Sequence, residues 1–346
     1  NLDFMRQQLG LSMALNPEMM AAHEMFNILK LPSAVKVDSF SRRYFEMIEL
    51  RLKADSGLAG VKLCDLRAKY KALILICVVQ RGEQVYVPDG NFELQSGDRI
   101  GIVGAPAEIT KFLKNIAMLK KQAKDVMILG GSKSAYYLAK MLLAAGHSVK
   151  IIELQKEKAQ MLADNLHGAT VIYGDGAQQE LLLEEGIDSM DAFVALTGID
   201  EENILLSYFA LGKKVQKVIA KVNRDEFTPI AEDLGIESII SPKDIVSDIV
   251  VRYVRALKNT VGSCMDTLYK VMDGKAEAAE FSVSDEFKYL GIPLKDIHLR
   301  KNLLIGGIIR GRRPIVPTGD DVILSGDRVI VIAAAKRLNT LADIVE

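Results

Sequence analysis

The sequence lacks the features of a membrane-spanning, disulfide-linked or nucleic-acid-binding protein. Its 346 residues include three cysteines without a Cys-x-x-Cys pair, which argues against a disulfide framework or zinc site and suits a reducing cytosol. Apolar runs such as 72–79 and 329–335 have the length of strands, whereas a membrane-spanning helix needs about 20 apolar residues. A net charge of −1 without a Lys/Arg-rich run favours neither nucleic acid nor an anionic membrane as a partner.

Recognisable catalytic groups are missing as well. No Ser/His/Asp set, activated cysteine or pair of carboxylates stands near the ends of the strands predicted below, so the sequence favours a binding protein over an enzyme. His147 follows Gly146 in a predicted turn, where we expect a hydrogen-bonded imidazole at the surface. The histidines have no metal-ligand spacing, so no metal site is predicted; they are His23, His147, His167 and His298.

Two parts of the sequence repeat each other, which indicates duplication. In the shorter of two matches, residues 9–20 resemble residues 234–245, and Pro17 aligns with Pro242. The sequence therefore contains one full unit preceded by the C-terminal half of another, and we expect a whole further domain before Asn1. The longer match, between residues 60–98 and 291–327, pairs Gly60, Leu63, Asp65, Gly82, Pro88, Gly97 and Asp98 with Gly291, Leu294, Asp296, Gly311, Pro317, Gly326 and Asp327.

Residues 125–241 alternate between strand-like and helix-like segments. Helices are predicted between the strands, for example over 135–145 and 156–165. This alternation is typical of an α/β domain with a Rossmann-like, doubly wound parallel sheet. The predicted strands are 126–129, 148–152, 169–173, 192–196, 217–222 and 238–240.

The segment that follows, 241–259, carries apolar rows at i+4 spacing and is predicted to be a helix buried on more than one side. It fits either an ordinary core helix or a crossover helix that lies between this lobe and a partner lobe. Residues 18–31 are its counterpart in the first unit. Residues 276–346 are predicted to form a small α+β domain that residues 50–115 repeat, with strands at 279–283, 303–310, 314–316 and 328–333, a short helix near 293–297 and a last helix from Lys336.

The chain is thus predicted to hold four parts. Residues 1–31 are the C-terminal remnant of a first Rossmann-like domain with its crossover helix, and residues 32–118 are the first small C-terminal domain. Residues 119–260 form the second Rossmann-like domain with its crossover helix, and residues 261–346 form the second small domain.

A glycine turn follows the first strand of the predicted sheet. The dinucleotide fingerprint Gly-x-Gly-x-x-Gly/Ala is met by Gly130 and Ala135, whereas Ser132 stands at the middle glycine. The Ser132 side chain either narrows the approach of a pyrophosphate or replaces a backbone contact by its hydroxyl. Lys133 is either a phosphate ligand or a solvated lysine at the start of a helix. The turn as a whole reads Gly130, Gly131, Ser132, Lys133, Ser134 and Ala135.

Three further strand ends carry polar residues. Glu153 closes the second strand, where an acid can accept from ribose hydroxyls and would repel a 2′-phosphate. Asp175, between Gly174 and Gly176, follows the third strand, and Thr197 follows the fourth. Carboxyl ends of parallel strands line a ligand crevice, so these residues predict a nucleotide site. The alternative is a scaffold that persists without its ligand.

The motifs "GGSKSAYYLAKML", "VKIIE", "VIYGDGA", "DAFVALTGIDEENIL", "VIAKVNR" and "IISPKDI" together resemble the TrkA family, the peripheral subunits of Trk-type potassium uptake systems. The match covers the whole chain in family order and spacing. The resemblance implies two tandem RCK (regulator of potassium conductance) units, each a Rossmann-like domain followed by a small domain. In that family glycines usually stand at the positions of Ser132 and Ala135.

The resemblance also implies a function. The chain would be a cytosolic regulatory subunit on the inner face of the membrane, in a homo-oligomeric ring, with a tetramer of the full-length protein expected, bound to a membrane potassium transporter. It would sense NAD, NADH, ATP or ADP. Its nucleotide contacts, carried over by position, would be Gly130, Ser132, Lys133, Ala135, Glu153, Asp175 and Thr197.

Two alternatives stay open at the level of sequence. A dehydrogenase-type oxidoreductase would share the same glycine turn, although the small domains offer few polar groups for a substrate. An RCK-like regulatory segment of another cation channel or exchanger would share the whole pattern.

Overall fold

The computed structural model describes residues 10–11, 13–41, 44–54, 56–258, 263–334 and 338–345. The chain divides into two compact units. One comprises Asn1–Pro32 with Lys121–Ser247, and the other comprises Ser33–Lys120 with Asp248–Glu346. Each unit is therefore assembled from segments that are distant in the sequence.

The described helices and strands follow one another in three groups. The first group is α1 (Pro17–Lys30), β1 (Lys36–Phe40), β2 (Phe45–Arg51), α2 (Leu63–Tyr70), β3 (Ile74–Arg81), β4 (Gln84–Tyr86), β5 (Arg99–Gly104) and α3 (Pro106–Asn115). The second is β6 (Asp125–Leu129), α4 (Lys133–Ala144), β7 (Ser148–Glu153), α5 (Lys156–Asn165), β8 (Ala169–Tyr173), α6 (Gln179–Glu184), β9 (Ala192–Ala195), α7 (Asp200–Gly212), β10 (Lys217–Lys221), α8 (Thr228–Asp233), β11 (Ser238–Ile240) and α9 (Pro242–Lys258). The third is β12 (Ser263–Val271), β13 (Ala276–Val283), β14 (Leu303–Arg310), β15 (Arg313–Ile315) and β16 (Arg328–Ala334).

Strands β6 to β11 form one sheet in the order β11-β10-β9-β6-β7-β8, and all of its pairings are parallel. Reversed, this order is the 3-2-1-4-5-6 of a Rossmann fold. Strand β9 is buried throughout and β6 nearly so, because helices cover both faces of a parallel sheet. The predicted fold class is confirmed, and each predicted strand lies within one residue of its observed bounds at either end.

Helix α1 packs against α4 of this sheet domain. Asn16 caps α1 by accepting a hydrogen bond from the Met19 backbone N–H at 3.0 Å, and Pro17 occupies its first turn. The packed face of α1 shares one apolar core with the facing residues of α4. Small side chains on both helices allow their backbones to approach closely. Fully or almost fully buried are Ala21, Ala22, Met25, Ile28 and Leu29 on α1, and Ala135, Leu138, Ala139 and Leu142 on α4.

The two small domains have the same antiparallel sheet, ordered β1-β2-β5-β3-β4 in the first and β12-β13-β16-β14-β15 in the second. The two copies also repeat an ion pair, since Arg81 binds Asp98 and Arg310 binds Asp327, each at 2.8 Å. The β3/β5 and β14/β16 pairs each contain a register shift, after Ile76 and after Ile305. These matched irregularities support the duplication inferred from the sequence.

Two carboxylates at matching positions join the small domains. Glu49 of β2 accepts from the Met272 backbone N–H at 3.3 Å, and Glu280 of β13 accepts from the Ser41 backbone N–H at 3.1 Å. Both carboxylates are buried. Burial raises the pKa of Glu280, and the negative charge of Asp266 acts in the same direction. Each domain thus supplies one acceptor to a turn of the other.

Several sequence predictions differ from the structure. Strand β12 was not predicted, and β13 begins at Ala276 rather than at residue 279. The last helix was expected from Lys336; residues 335–337 lie outside the described residues, and Leu341–Ile344 form a 3₁₀ turn. His147 is buried rather than at the surface, with Nδ1 2.6 Å from the Ala123 carbonyl oxygen, because the loop before β7 packs beneath α1, where Phe26 meets its ring edge-on.

Candidate functional site

The glycine turn lies where the strand order of the parallel sheet reverses. Strand β6 pairs with β7 on one side and β9 on the other, so the connections leave in opposite directions and open a crevice at the carboxyl ends. Gly130 follows β6 with a φ of +90°, a backbone conformation that favours glycine. A Cβ at this position would lie 3.0 Å from the Leu196 carbonyl group and the Thr197 Cα. The turn therefore packs directly on the loop that follows β9.

Ser132 is the N-cap of α4. Its hydroxyl oxygen accepts a hydrogen bond from the Ala135 backbone N–H at 3.3 Å. The first N–H groups of a helix have no partner inside the helix and are the groups that an anion at this end would use. The serine hydroxyl consequently occupies one of these donors, a role that the sequence analysis did not consider.

The other members of the turn differ in access. Lys133, the first residue of α4, is exposed, whereas Ser134 and Ala135 are buried. An anion could therefore reach the Lys133 side chain directly. It could reach Ser134 and Ala135 only through their backbone N–H groups.

Glu153 connects the glycine turn to the end of β7. Its Oε2 accepts from the Gly131 N–H at 2.5 Å, its Oε1 accepts from the Gln155 N–H at 2.7 Å, and it is 6% exposed. A Cβ on Gly131 would lie 2.6 Å from Glu153 Oε2, so a larger residue there would displace the carboxylate. A carboxylate has about four lone-pair sites, so two remain for hydroxyl donors of a ligand.

Thr197 and Asp175 both stabilise their own loops. The Thr197 N–H and hydroxyl donate to Asn203 Oδ1 at 2.9 and 2.8 Å. Asp175 accepts from the Ala177 N–H at 3.0 Å and from the Gln178 side chain at 3.3 Å. Any contact of these residues with a ligand would use their remaining lone pairs or the backbone of their loops.

The structure brings most of the predicted site residues together around the turn. Glu153 bonds to Gly131, and the Thr197 backbone contacts the turn at Gly130. The loop that contains Asp175 lies beside them, because a Cβ on Gly176 would fall 2.0 Å from Leu129 at the end of β6. Residues at the carboxyl ends of four strands, β6 to β9, therefore border one crevice.

Two polar residues of α7 were missed by the sequence analysis. Asn203 is fully buried beneath the Thr197 loop. Asp200 accepts from the backbone N–H groups of Asn223 and Arg224, each at 3.0 Å. Burial by itself raises the pKa of Asp200, but the hydrogen bonds from these two residues outweigh it and lower the pKa. The available signal was an Asp and an Asn in the first turn of a helix that follows a strand end.

Two further features are absent from the described residues. No group of three or more His, Cys, Asp or Glu side chains there could hold a metal ion. None of the described helices has the length and apolar character needed to cross a membrane.

Family models match most of this chain. The TrkA-N domain model matches residues 126–242, and the TrkA-C domain model matches residues 47–117 and 278–346. The chain is 30% identical over 331 residues to Trk system potassium uptake protein TrkA homolog 1 of Methanosarcina mazei, covering 95% of this chain and 72% of that protein. It is 27% identical over 333 residues to Trk system potassium uptake protein TrkA of Azorhizobium caulinodans, covering 95% of this chain and 71% of that protein.

Solved structures share the fold. The crystal structure of the GsuK RCK domain superposes with a TM-score of 0.54 at 15% identity, over 95% of this chain and 69% of that chain. The structure of the GsuK channel bound to NAD gives a TM-score of 0.50 at 14% identity, over 92% of this chain and 56% of that chain. Both domain models match the chain, and a relative is similar over nearly its whole length. The chain therefore belongs to the TrkA family of Trk system potassium uptake proteins.

Proposed function

We propose that this chain is a cytosolic regulatory subunit of a Trk-type potassium uptake transporter and that it binds NAD or NADH in the crevice of its parallel sheet. Its relatives carry the name Trk system potassium uptake protein, and a channel with the same fold is described as bound to NAD. The observation that carries the nucleotide proposal is the Glu153 carboxylate, held against the glycine turn at the point where the strand order reverses.

The proposed nucleotide has an unphosphorylated ribose. Glu153 would accept from the ribose hydroxyls with the lone pairs that its two backbone bonds leave free, and its charge would repel a 2′-phosphate. The pyrophosphate would lie at the N-terminus of α4, near Gly131, Ser132 and the exposed Lys133. ATP and ADP share the ribose and phosphates and are the second class of ligand for this site.

A regulatory role suits the site better than an oxidoreductase. Apart from the exposed Lys133, the polar side chains around the turn are Ser132, Glu153, Asp175 and Thr197, and each is already hydrogen-bonded to other groups of the protein. Hydride transfer would also require a positioned proton donor on the substrate side. Consumption of NADH with a metabolite mixture would favour the enzyme. An RCK-like segment of another channel or exchanger would bind the nucleotide equally and differ only in its membrane partner.

We further propose that α9 docks on a Rossmann-like domain as α1 does. When Pro17 is aligned with Pro242, the buried Met25 and Leu29 of α1 correspond to Val250 and Val254 of α9, which are 40% and 45% exposed. In a homo-oligomeric ring, a Rossmann-like domain of a second copy of this chain would cover these valines. The proposal retains the predicted division of the chain into residues 1–31, 32–118, 119–260 and 261–346.

Replacement of the exposed valines tests this docking. Val250→Asp with Val254→Asp should give a smaller species in sedimentation velocity if α9 docks on another domain, since an unpaired charge in a dry contact costs several kcal/mol. Lys243→Asp, at an exposed position of the same helix, is the control. A parent chain that sediments as a monomer at high concentration would contradict docking between copies.

Calorimetric titration with NADH, NAD, ATP and ADP tests the nucleotide proposal. We expect saturable binding of at least NADH or NAD, and weaker binding of NADPH than of NADH because of the Glu153 charge. Glu157 is an exposed acid at the start of α5 and lies outside the turn. The variant Glu157→Gln is the control and should bind these nucleotides as the parent does. Absence of binding by all of these nucleotides would contradict the proposal and leave a scaffold without ligand.

A further inference from the structure

We infer that Asn203 is the positioning residue that holds the Thr197–Ile199 loop against the glycine turn. The inference rests on the proposed nucleotide site, whose floor includes that loop. Asn203 is fully buried under the loop, so its side chain acts on a ligand only through the backbone that it holds.

The Asn203 amide uses its full hydrogen-bonding capacity. Its Oδ1 accepts from the Thr197 N–H at 2.9 Å and from the Thr197 hydroxyl at 2.8 Å. Its Nδ2 donates to the carbonyl oxygens of Thr197 at 3.2 Å and of Lys221 at 2.9 Å. A backbone N–H can only donate and a carbonyl oxygen can only accept, so the amide has one possible orientation.

The position of Asn203 explains why these groups need it. Strands β9 and β10 pair in register as far as Ala195 and Ala220 and then separate. Beyond that point the backbones of Thr197 and Lys221 are not paired with each other as strands. A buried backbone N–H or carbonyl group without a hydrogen-bond partner costs free energy. Asn203, one turn into α7, bridges the gap that opens between the two strands.

This bridge lies directly under the proposed nucleotide site. The backbone of Leu196 and Thr197 is the surface on which the glycine turn packs, with 3.0 Å between the Gly130 Cβ position and Leu196. A loop that already has its bound conformation costs less entropy when the ligand binds. Without Asn203 the loop would have to be ordered by the nucleotide itself.

Replacement of Asn203 tests the inference. Asn203→Asp keeps the shape and two acceptors but removes both donors, and Asn203→Ala removes all four bonds. At a temperature where the variants are folded, we expect NADH affinity to fall by about 5- to 150-fold, the equilibrium equivalent of leaving one buried group unpaired. Amide exchange of Thr197, followed by NMR without ligand, should accelerate in both variants.

Ser207→Ala is the matched control. Ser207 lies one turn further along α7, is fully buried, and has a hydroxyl without a hydrogen-bond partner among the described residues. Its replacement should change neither NADH affinity nor Thr197 exchange, although melting can shift. If folded Asn203→Ala binds NADH as the parent does, the positioning role is refuted and only a stabilising role remains.

The exchange measurement separates this inference from the proposed function. A parent chain that binds no nucleotide contradicts the proposed function, while slow Thr197 exchange that Asn203→Asp accelerates still supports the loop-holding role. If neither variant folds, the parent alone decides: its Thr197 amide should be protected although it lies outside any strand. Exchange at the rate of an open loop would overturn the inference.

Discussion

Replacement of Ser132 by glycine is the most informative change at the candidate site. The hydroxyl accepts from the Ala135 N–H at 3.3 Å, and exchanging serine for glycine at an N-cap costs a helix only a few tenths of a kcal/mol, i.e. roughly 0.3. The vacated N–H can then donate to a phosphate oxygen. The net value of one hydrogen bond is about 0.5–1.5 kcal/mol, and more with a charged acceptor. We therefore expect Ser132→Gly to bind NADH about fivefold more tightly, or about 1 kcal/mol.

Paired calorimetric titrations of the parent, Ser132→Gly and Ser132→Ala measure this effect. Alanine removes the hydroxyl but keeps the Cβ. If the masked Ala135 N–H limits binding, both variants should bind more tightly; if the side chain crowds the pyrophosphate, only the glycine variant should. Weaker binding by both variants would show that the hydroxyl is itself a phosphate ligand and would refute the reasoning.

Three further changes test other parts of the structure. Glu153→Ala should weaken NADH binding by about 1–3 kcal/mol in calorimetry and should also lower the melting temperature, because the Gly131 N–H loses its acceptor; unchanged affinity would exclude a ribose contact. Gly176→Ala would place a Cβ 2.0 Å from Leu129 and should cost about 1–3 kcal/mol of unfolding free energy by overpacking; an unchanged denaturation midpoint would contradict this. Because the pKa of Glu280 is raised in the folded protein, the parent should lose stability as pH rises through that pKa, whereas Glu280→Gln should unfold with a flatter pH profile in the acidic range; identical profiles would disprove the burial effect.

The parallel sheet could be predicted because its signal is local. Each strand is a short apolar run bounded by turn residues, and strands alternate with helices of regular length. The glycine turn and Glu153 were found for the same reason, since the fingerprint fixes their spacing along the chain.

Strand β12 was missed because its pattern is not that of a regular strand. Its buried residues Met265, Leu268 and Val271 recur every third position, which resembles a helix rather than the two-residue alternation of a strand. The structure supplies the cause, a register shift in the β12/β13 pair between Met265 and Thr267. Such a bulge moves the later side chains to the other face.

The role of Asn203 could not be read from sequence either. Its four hydrogen bonds exist because β9 and β10 separate beyond Ala195 and Ala220, a tertiary feature without a local signal. The cap formed by Ser132 was accessible in principle, since serine is a preferred N-cap residue.

Potassium flux through transporter vesicles tests the regulatory claim most directly. The membrane subunit of a Trk-type transporter would be reconstituted with this protein, and flux would be followed as NADH is added, in parallel with Glu153→Ala and the Glu157→Gln control. The account predicts an NADH-dependent change in flux with the parent and the control that is lost or shifted to higher NADH with Glu153→Ala. Flux that does not respond to NADH with the parent, or that responds equally with Glu153→Ala, would contradict it.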